Sequence, residues 1–141
     1  MIQSIIGHEF ADAVFPLIGA AKSSVDIIAY DWRWYPKDPG NLVQLFTTLL
    51  IKKAKLGVNV RAVLNYSGIV YLLRQNGIAA RQKRFSKFLH AKLILIDDDI
   101  TIIGSHNLTL SAFLHNQECS VVIYDKELNL TFKKFFETLW L

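Results

Sequence analysis

Along the chain, apolar positions recur first at helical and then at strand spacing, and each change of period marks the edge of a predicted element. A first amphipathic helix is predicted near His8 to Lys22, with Pro16 in its middle arguing for a kink or an early stop. Val25 to Tyr30 reads as a buried strand, and DWRWYPKDPG, with two prolines and a glycine, as a loop. Asn41 is a good N-cap for LVQLFTTLLIKKAKL, a helical repeat whose lysines gather at its end, before Gly57. VNVRAVLN predicts a strand and GIVYLLRQN a short helix ending on Gly77. LHAKLILI and ITIIGS, on either side of the turn Asp97 to Asp99, predict a hairpin. A short connection, a strand over Glu118 to Tyr124 and a helix from about Glu127 to Leu139 complete the chain. Strands apolar on both faces, alternating with helices, imply an α/β fold with a mixed central β-sheet and helices on both faces. No composition break marks a linker, so a single domain over residues 1–141 is expected.

Composition narrows the classes. With 52% apolar and 20% charged residues the chain can bury a substantial core, and no window approaches the roughly 18 apolar residues of a membrane span. The opening MIQSIIGHEF has no basic start followed by a long apolar stretch; for a chain beginning as numbered, the expected location is the cytoplasm. A single cysteine, Cys119, rules out an internal disulfide and a cysteine-built zinc site, and its place in CSVVIY predicts a small buried residue. The net charge of +4 suits a polyanionic partner without naming one.

The chemistry concentrates between His90 and Glu118. The spacing is His-x-Lys-x4-Asp-x6-Gly-Ser-x-Asn, followed by Asn116-x-Glu118. Alternation along a strand sends His90 and Lys92 to the same side, and Ser105 and Asn107 repeat that two-residue spacing beyond Gly104, which allows close backbone approach. Hairpin pairing then gathers an imidazole, an ammonium, a hydroxyl and a carboxamide: one nucleophile and three groups able to hold phosphate oxygens. An imidazole with a pKa of about 6.5 is partly unprotonated near neutrality and can attack, while Lys92 offsets the negative charge that repels attack. Taken alone, His90 would be a solvated strand-end histidine; the full constellation reverses that reading. Alternation turns His106 away from Ser105 and Asn107, towards the core. A metal site built from His90, His106, His115 and the aspartate turn matches no ligand spacing, so no metal or other cofactor is expected. GSHN lacks the glycines that would make Ser105 a serine-hydrolase nucleophile.

These motifs resemble the phospholipase D superfamily, whose HKD signature is His-x-Lys-x4-Asp with a downstream Gly-Ser-x-Asn. The likeness extends over VDIIAY, VNVRAVLN and the closing FFETLW, and one copy of the signature is similar to small single-motif members such as the Nuc-type endonucleases and the mitochondrial and Zucchini-like proteins. The resemblance implies that His90 is a nucleophile forming a phosphohistidine, that Lys92 and Asn107 bind phosphate oxygens with a hydrogen bond added by Ser105, and that Glu118 accepts from the other imidazole nitrogen. Asp97, on the opposite strand parity and at a turn, is expected to be structural. Asn116 could border the site or cap a turn. Expulsion of an alkoxide requires a second acid, which two-motif members supply with a second histidine. With one motif, the implied arrangement is a homodimer that brings two copies of His90 together.

Substrate contacts are less defined. Arg81, Lys83, Arg84 and Lys87 form a cationic strip leading to His90 that would suit a nucleic-acid backbone, an anionic lipid head group or plain solvent. Trp32 and Trp34, with Tyr35 and Arg33, could stack on bases, pack over the sheet edge or enter a membrane interface. The resulting expectation is a metal-independent phosphodiesterase acting on DNA or RNA with little sequence preference. Its alternatives are a phospholipid phosphodiesterase of the phospholipase D or cardiolipin hydrolase kind, and a nucleic-acid-binding module that does not cleave.

Overall fold

The structure, a computed structural model, describes residues 1–66, 68–82 and 87–141. Among these the chain runs through β1 (Ile2–Ile6), α1 (Phe10–Gly19), β2 (Ser24–Ala29), α2 (Leu42–Lys55), β3 (Asn59–Leu64), α3 (Val70–Gln75), β4 (Ala79–Gln82), β5 (Leu93–Ile96), β6 (Ile100–Gly104), β7 (Cys119–Tyr124) and α4 (Lys126–Trp140). The strands form one seven-stranded sheet in the order β1-β7-β6-β5-β2-β3-β4. β2, β3 and β4 are parallel, as their helical connections require, whereas β5, β6, β7 and β1 pair antiparallel.

Helices cover both faces, as the α/β reading requires. On one face Val25 and Ile27 of β2, Val60 and Ala62 of β3, and Ile94, Ile102 and Val122 pack against Phe10, Val14 and Ile18 of α1, Phe46 and Leu50 of α2 and Leu73 of α3. On the other, Ile28, Val63, Leu93 and Leu95 lie beneath Phe136 of α4, flanked by Phe132 and Trp140. Each buried Val, Leu, Ile or Phe among these contributes roughly 1.5–3 kcal/mol. Asn41 caps α2 by accepting from the Gln44 N–H at 2.9 Å, and Gly57 and Gly77 take positive φ just beyond α2 and α3.

Several predicted elements change shape. α1 continues past Pro16 to Gly19, with the proline ring turned to solvent. β1 and β4, neither of them predicted, are the two edges of the sheet. Regular pairing of β5 begins only at Leu93, so His90 and Lys92 precede the strand they were expected to occupy. Leu108 pairs with the loop after β2: its N–H donates to the Asp31 carbonyl and its own carbonyl accepts from the Arg33 N–H, both at 3.0 Å. This short bridge draws Trp32 inward.

Candidate active site

The strand register gathers several chain segments at one end of the sheet. Ile28 pairs with Leu93, Leu93 with Ile103, and Gly104 with Ser120, so the residues beyond β2 and β6 meet those preceding β5 and β7. Tyr30, His90, Lys92, Ser105, Asn107 and Glu118 all lie there. Gly104 is needed for this closeness, because a Cβ on it would run into the Ser120 side chain and backbone and the Cys119 carbonyl.

His90 is exposed, and the Lys92 ammonium lies 3.2 Å from each of its ring nitrogens. Equidistance places the ammonium off the lone-pair axis of either nitrogen. Burial lowers the Lys92 pKa, and the Glu118 carboxylate partly opposes that shift. Lys92 and Asn107 line the same cavity above Phe10, Ile28 and Ser120, and Asn107 Oδ1 is buried without a protein hydrogen-bond partner.

Glu118 occupies a different position from the one the resemblance implies. Its Oε1 accepts from the Ser105 hydroxyl at 2.6 Å and its Oε2 from the Asn116 amide at 3.0 Å, so the carboxylate is engaged by these two donors and not by His90 of the same chain. Ser105 in turn accepts from the Cys119 N–H at 3.0 Å. Asn116 therefore borders the site. His106 is 3% exposed: its Nε2 donates to the Gly7 carbonyl at 2.8 Å, which leaves Nδ1 to accept from the Ser120 hydroxyl at 2.7 Å.

Asp97 lies at the other end of β5, roughly 20 Å of extended chain from His90. Its carboxylate accepts from the backbone N–H groups of Lys22, Ser23 and Ser24 and from the Ser23 hydroxyl, tying the hairpin turn to the start of β2.

The expected substrate contacts separate. Trp32 is 4% exposed and donates its indole N–H to Thr47 Oγ1 at 3.0 Å, so it is a core residue and cannot stack on a base. Trp34 and Tyr35 pack half-buried against the same core. The Arg81 guanidinium lies 4.0 Å from the centre of the Trp140 ring and donates to the Trp140 carbonyl, holding β4 to the end of α4. Lys87 is exposed, while Lys83 and Arg84 lie outside the described residues. Cys119 is exposed rather than buried, because its β7 parity puts it beside exposed Ile6 while Ser120 and Val122 turn inward.

Two tyrosines escaped the sequence reading. The Tyr30 ring centre is 4.7 Å from that of His90 and 5.3 Å from the Lys92 ammonium, and its hydroxyl is 3.1 Å from that of Tyr66. The hydrogen bond with Tyr66, then burial and the nearby Tyr66 and Asp31 side chains, raise the Tyr30 pKa. Their hydrophobic setting in VDIIAY and VLNY gave no signal of these contacts. Among the described residues no group of three or more His, Cys, Asp or Glu side chains is placed to hold a metal ion, and no helix is long and apolar enough to cross a membrane.

Residues 14–140 match the family described as cardiolipin synthase, PLD-like domain. The mitochondrial cardiolipin hydrolase of Xenopus laevis is 34% identical over 68 residues, 48% of this chain and 32% of that protein, so the chain spans about a third of that relative's length. NucT from Helicobacter pylori superposes with a TM-score of 0.83 at 19% identity, and Nuc from Salmonella typhimurium, a phospholipase D family member, with 0.81 at 24%. Each superposition covers 99% of this chain and 95% of the other, and at these identities the likeness is one of fold. With a family model matched over nearly the whole chain, the chain belongs to the phospholipase D superfamily, and its fold is that of Nuc and NucT.

Proposed function

We propose that the chain is a metal-independent phosphodiesterase of the nuclease type, working as a homodimer that joins two copies of His90 around one phosphate. The observation that carries this reading is the exposed His90 imidazole with the partly buried Lys92 ammonium 3.2 Å from it. An unprotonated imidazole attacks phosphorus in line, forming an N–P bond as the P–O bond to the leaving group breaks. The second subunit's His90, as imidazolium, protonates the departing alkoxide. That imidazole then takes a proton from water, whose oxygen attacks phosphorus and breaks the N–P bond, leaving a phosphomonoester and two free histidines. Lys92 and Asn107 hold the phosphate oxygens, where charge develops in the transition state.

A nucleic-acid backbone is the first reading of the substrate. The formal charge of +4, exposed Lys87 and a full-length likeness to the small Nuc and NucT chains support it. A lipid phosphodiester is the second, favoured by the family's description and the cardiolipin hydrolase relative. The test is a panel of plasmid, single-stranded DNA, RNA and cardiolipin vesicles in EDTA. Nucleic-acid cleavage that survives the chelator and falls by at least about 10³-fold in His90→Ala is expected. Loss of cleavage on chelation would sink the mechanism, and release of lipid product alone would select the second reading.

A further inference from the structure

An exposed imidazole is free to rotate about two side-chain bonds, yet attack on phosphorus needs one ring nitrogen held on a line with the leaving oxygen. Glu118, the carboxylate that could orient the ring, is engaged by Ser105 and Asn116. What the structure places against His90 is the Lys92 ammonium on one side and the Tyr30 ring, inclined at 58° to the imidazole, on another. Tyr30 is well suited to hold a neighbour still. It follows directly on the buried end of β2, a strand paired on both sides, so its backbone is anchored by the centre of the sheet. Its far end is tethered through its hydroxyl to Tyr66, which stands edge-on to it at 71° just beyond the parallel neighbour β3. The same ring faces the Lys92 ammonium at 5.3 Å, a cation–π contact that favours the charged form which burial disfavours.

We propose that Tyr30 is a positioning residue for His90 and Tyr66 its brace, the two phenols forming a wall that sets the angle at which the imidazole meets phosphorus. The proposal rests on the reading of His90 as nucleophile. It is independent of whether the phosphodiester belongs to a nucleic acid or a lipid, because the wall touches the histidine and not the groups esterified to the phosphate.

The test uses bis(p-nitrophenyl) phosphate as a small diester, with His90 followed by proton NMR in the same proteins. Tyr30→Leu is expected to lower kcat about 10- to 100-fold with KM nearly unchanged. In the same variant the His90 ring protons lose their Tyr30 ring-current shift and their cross-relaxation to the Tyr30 ring. Tyr30→Phe and Tyr66→Phe each remove only the hydroxyl contact and are expected to cost about threefold to tenfold in kcat. Combined, they should cost no more than either alone, the signature of one shared bond. These two variants keep both rings and decide the question if Tyr30→Leu does not fold. Wild-type kcat in the folded variants would overturn the proposal, as would a raised KM with unchanged kcat, which marks a substrate contact. If the wild-type protein turns over no diester, the nucleophile reading fails, and the NMR measurement still decides whether Tyr30 holds the ring.

Discussion

Asp97 and His90 flank β5 in the chain and belong to one signature, yet they act in unrelated ways because of what each end of the strand meets. Burial alone would raise the Asp97 carboxyl, but the backbone N–H donors of Ser23, Ser24 and Lys22 and the Ser23 hydroxyl outweigh it and hold the pKa below the ordinary 3.8. A carboxylate with a depressed folded pKa contributes stability that is complete above the unfolded value of about 3.9 and drains away as pH falls through the folded value. Asp97→Ala should therefore cost about 1–3 kcal/mol near neutrality, by stranding donors around the turn, and progressively less in acid. Urea unfolding at several pH values checks this; a constant difference down to pH 2 would contradict it. Turnover per folded molecule should stay at the wild-type level, since the site lies at the other end of the strand. Trp32 makes the complementary point. Its surroundings in DWRWYPKDPG read as a loop, and distant partners, the bridge to Leu108 and the side chains of Thr47 and Phe46, bring it into the core.

At the scale of elements, α4 is fastened to the sheet by charge as well as by apolar packing. Asp26 is 1% exposed on β2, in a strand expected to be apolar on both faces, and it accepts from Arg61 of β3 at 2.8 and 3.1 Å. Arg61 also donates to Glu137 of α4 at 2.6 Å and lies over the rings of Phe136 and Trp140. Hydrogen bonding to Asp26, opposed by burial and supported by Glu137, raises the Arg61 pKa further, and Arg61 in turn holds Glu137 low. Arg61→Ala leaves the buried Asp26 carboxylate facing Lys133 at 3.6 Å, without its two guanidinium hydrogen bonds. A loss of about 3–5 kcal/mol in chemical unfolding is expected, partly recovered when Asp26→Leu removes the stranded charge. No recovery in the double variant would contradict this account. The two unpredicted strands are edges, and for a physical reason. β1 exposes four of its five residues and so shows no clean alternation, and β4 is only four residues, Ala-Ala-Arg-Gln, without a β-branched side chain.

At the scale of the whole molecule, one chain carries one His-x-Lys pair, and the proposed chemistry needs a second histidine. The active species is therefore expected to be a dimer by analytical ultracentrifugation at assay concentration, and fully active monomers would contradict the two-histidine site. Mixed dimers of wild-type and His90→Ala chains should lose most of their activity, because each shared site would lack its acid or its nucleophile.

By itself the sequence determined the α/β class, the cap and stop of α2, and the two short stretches that hold His90 with Lys92 and Ser105 with Asn107. All of these follow from local rules, since capping, helical period and strand alternation act over a few residues. Only the tertiary structure decided what surrounds His90: Tyr30 lies 60 residues before it in the chain, and Glu118, 28 residues after it, turns to Ser105 and Asn116. It decided likewise that Trp32 is core and that Arg81 belongs to Trp140. Such contacts are set by how strands from distant parts of the chain pair and by which helix covers them, and no pattern within a short window carries that information.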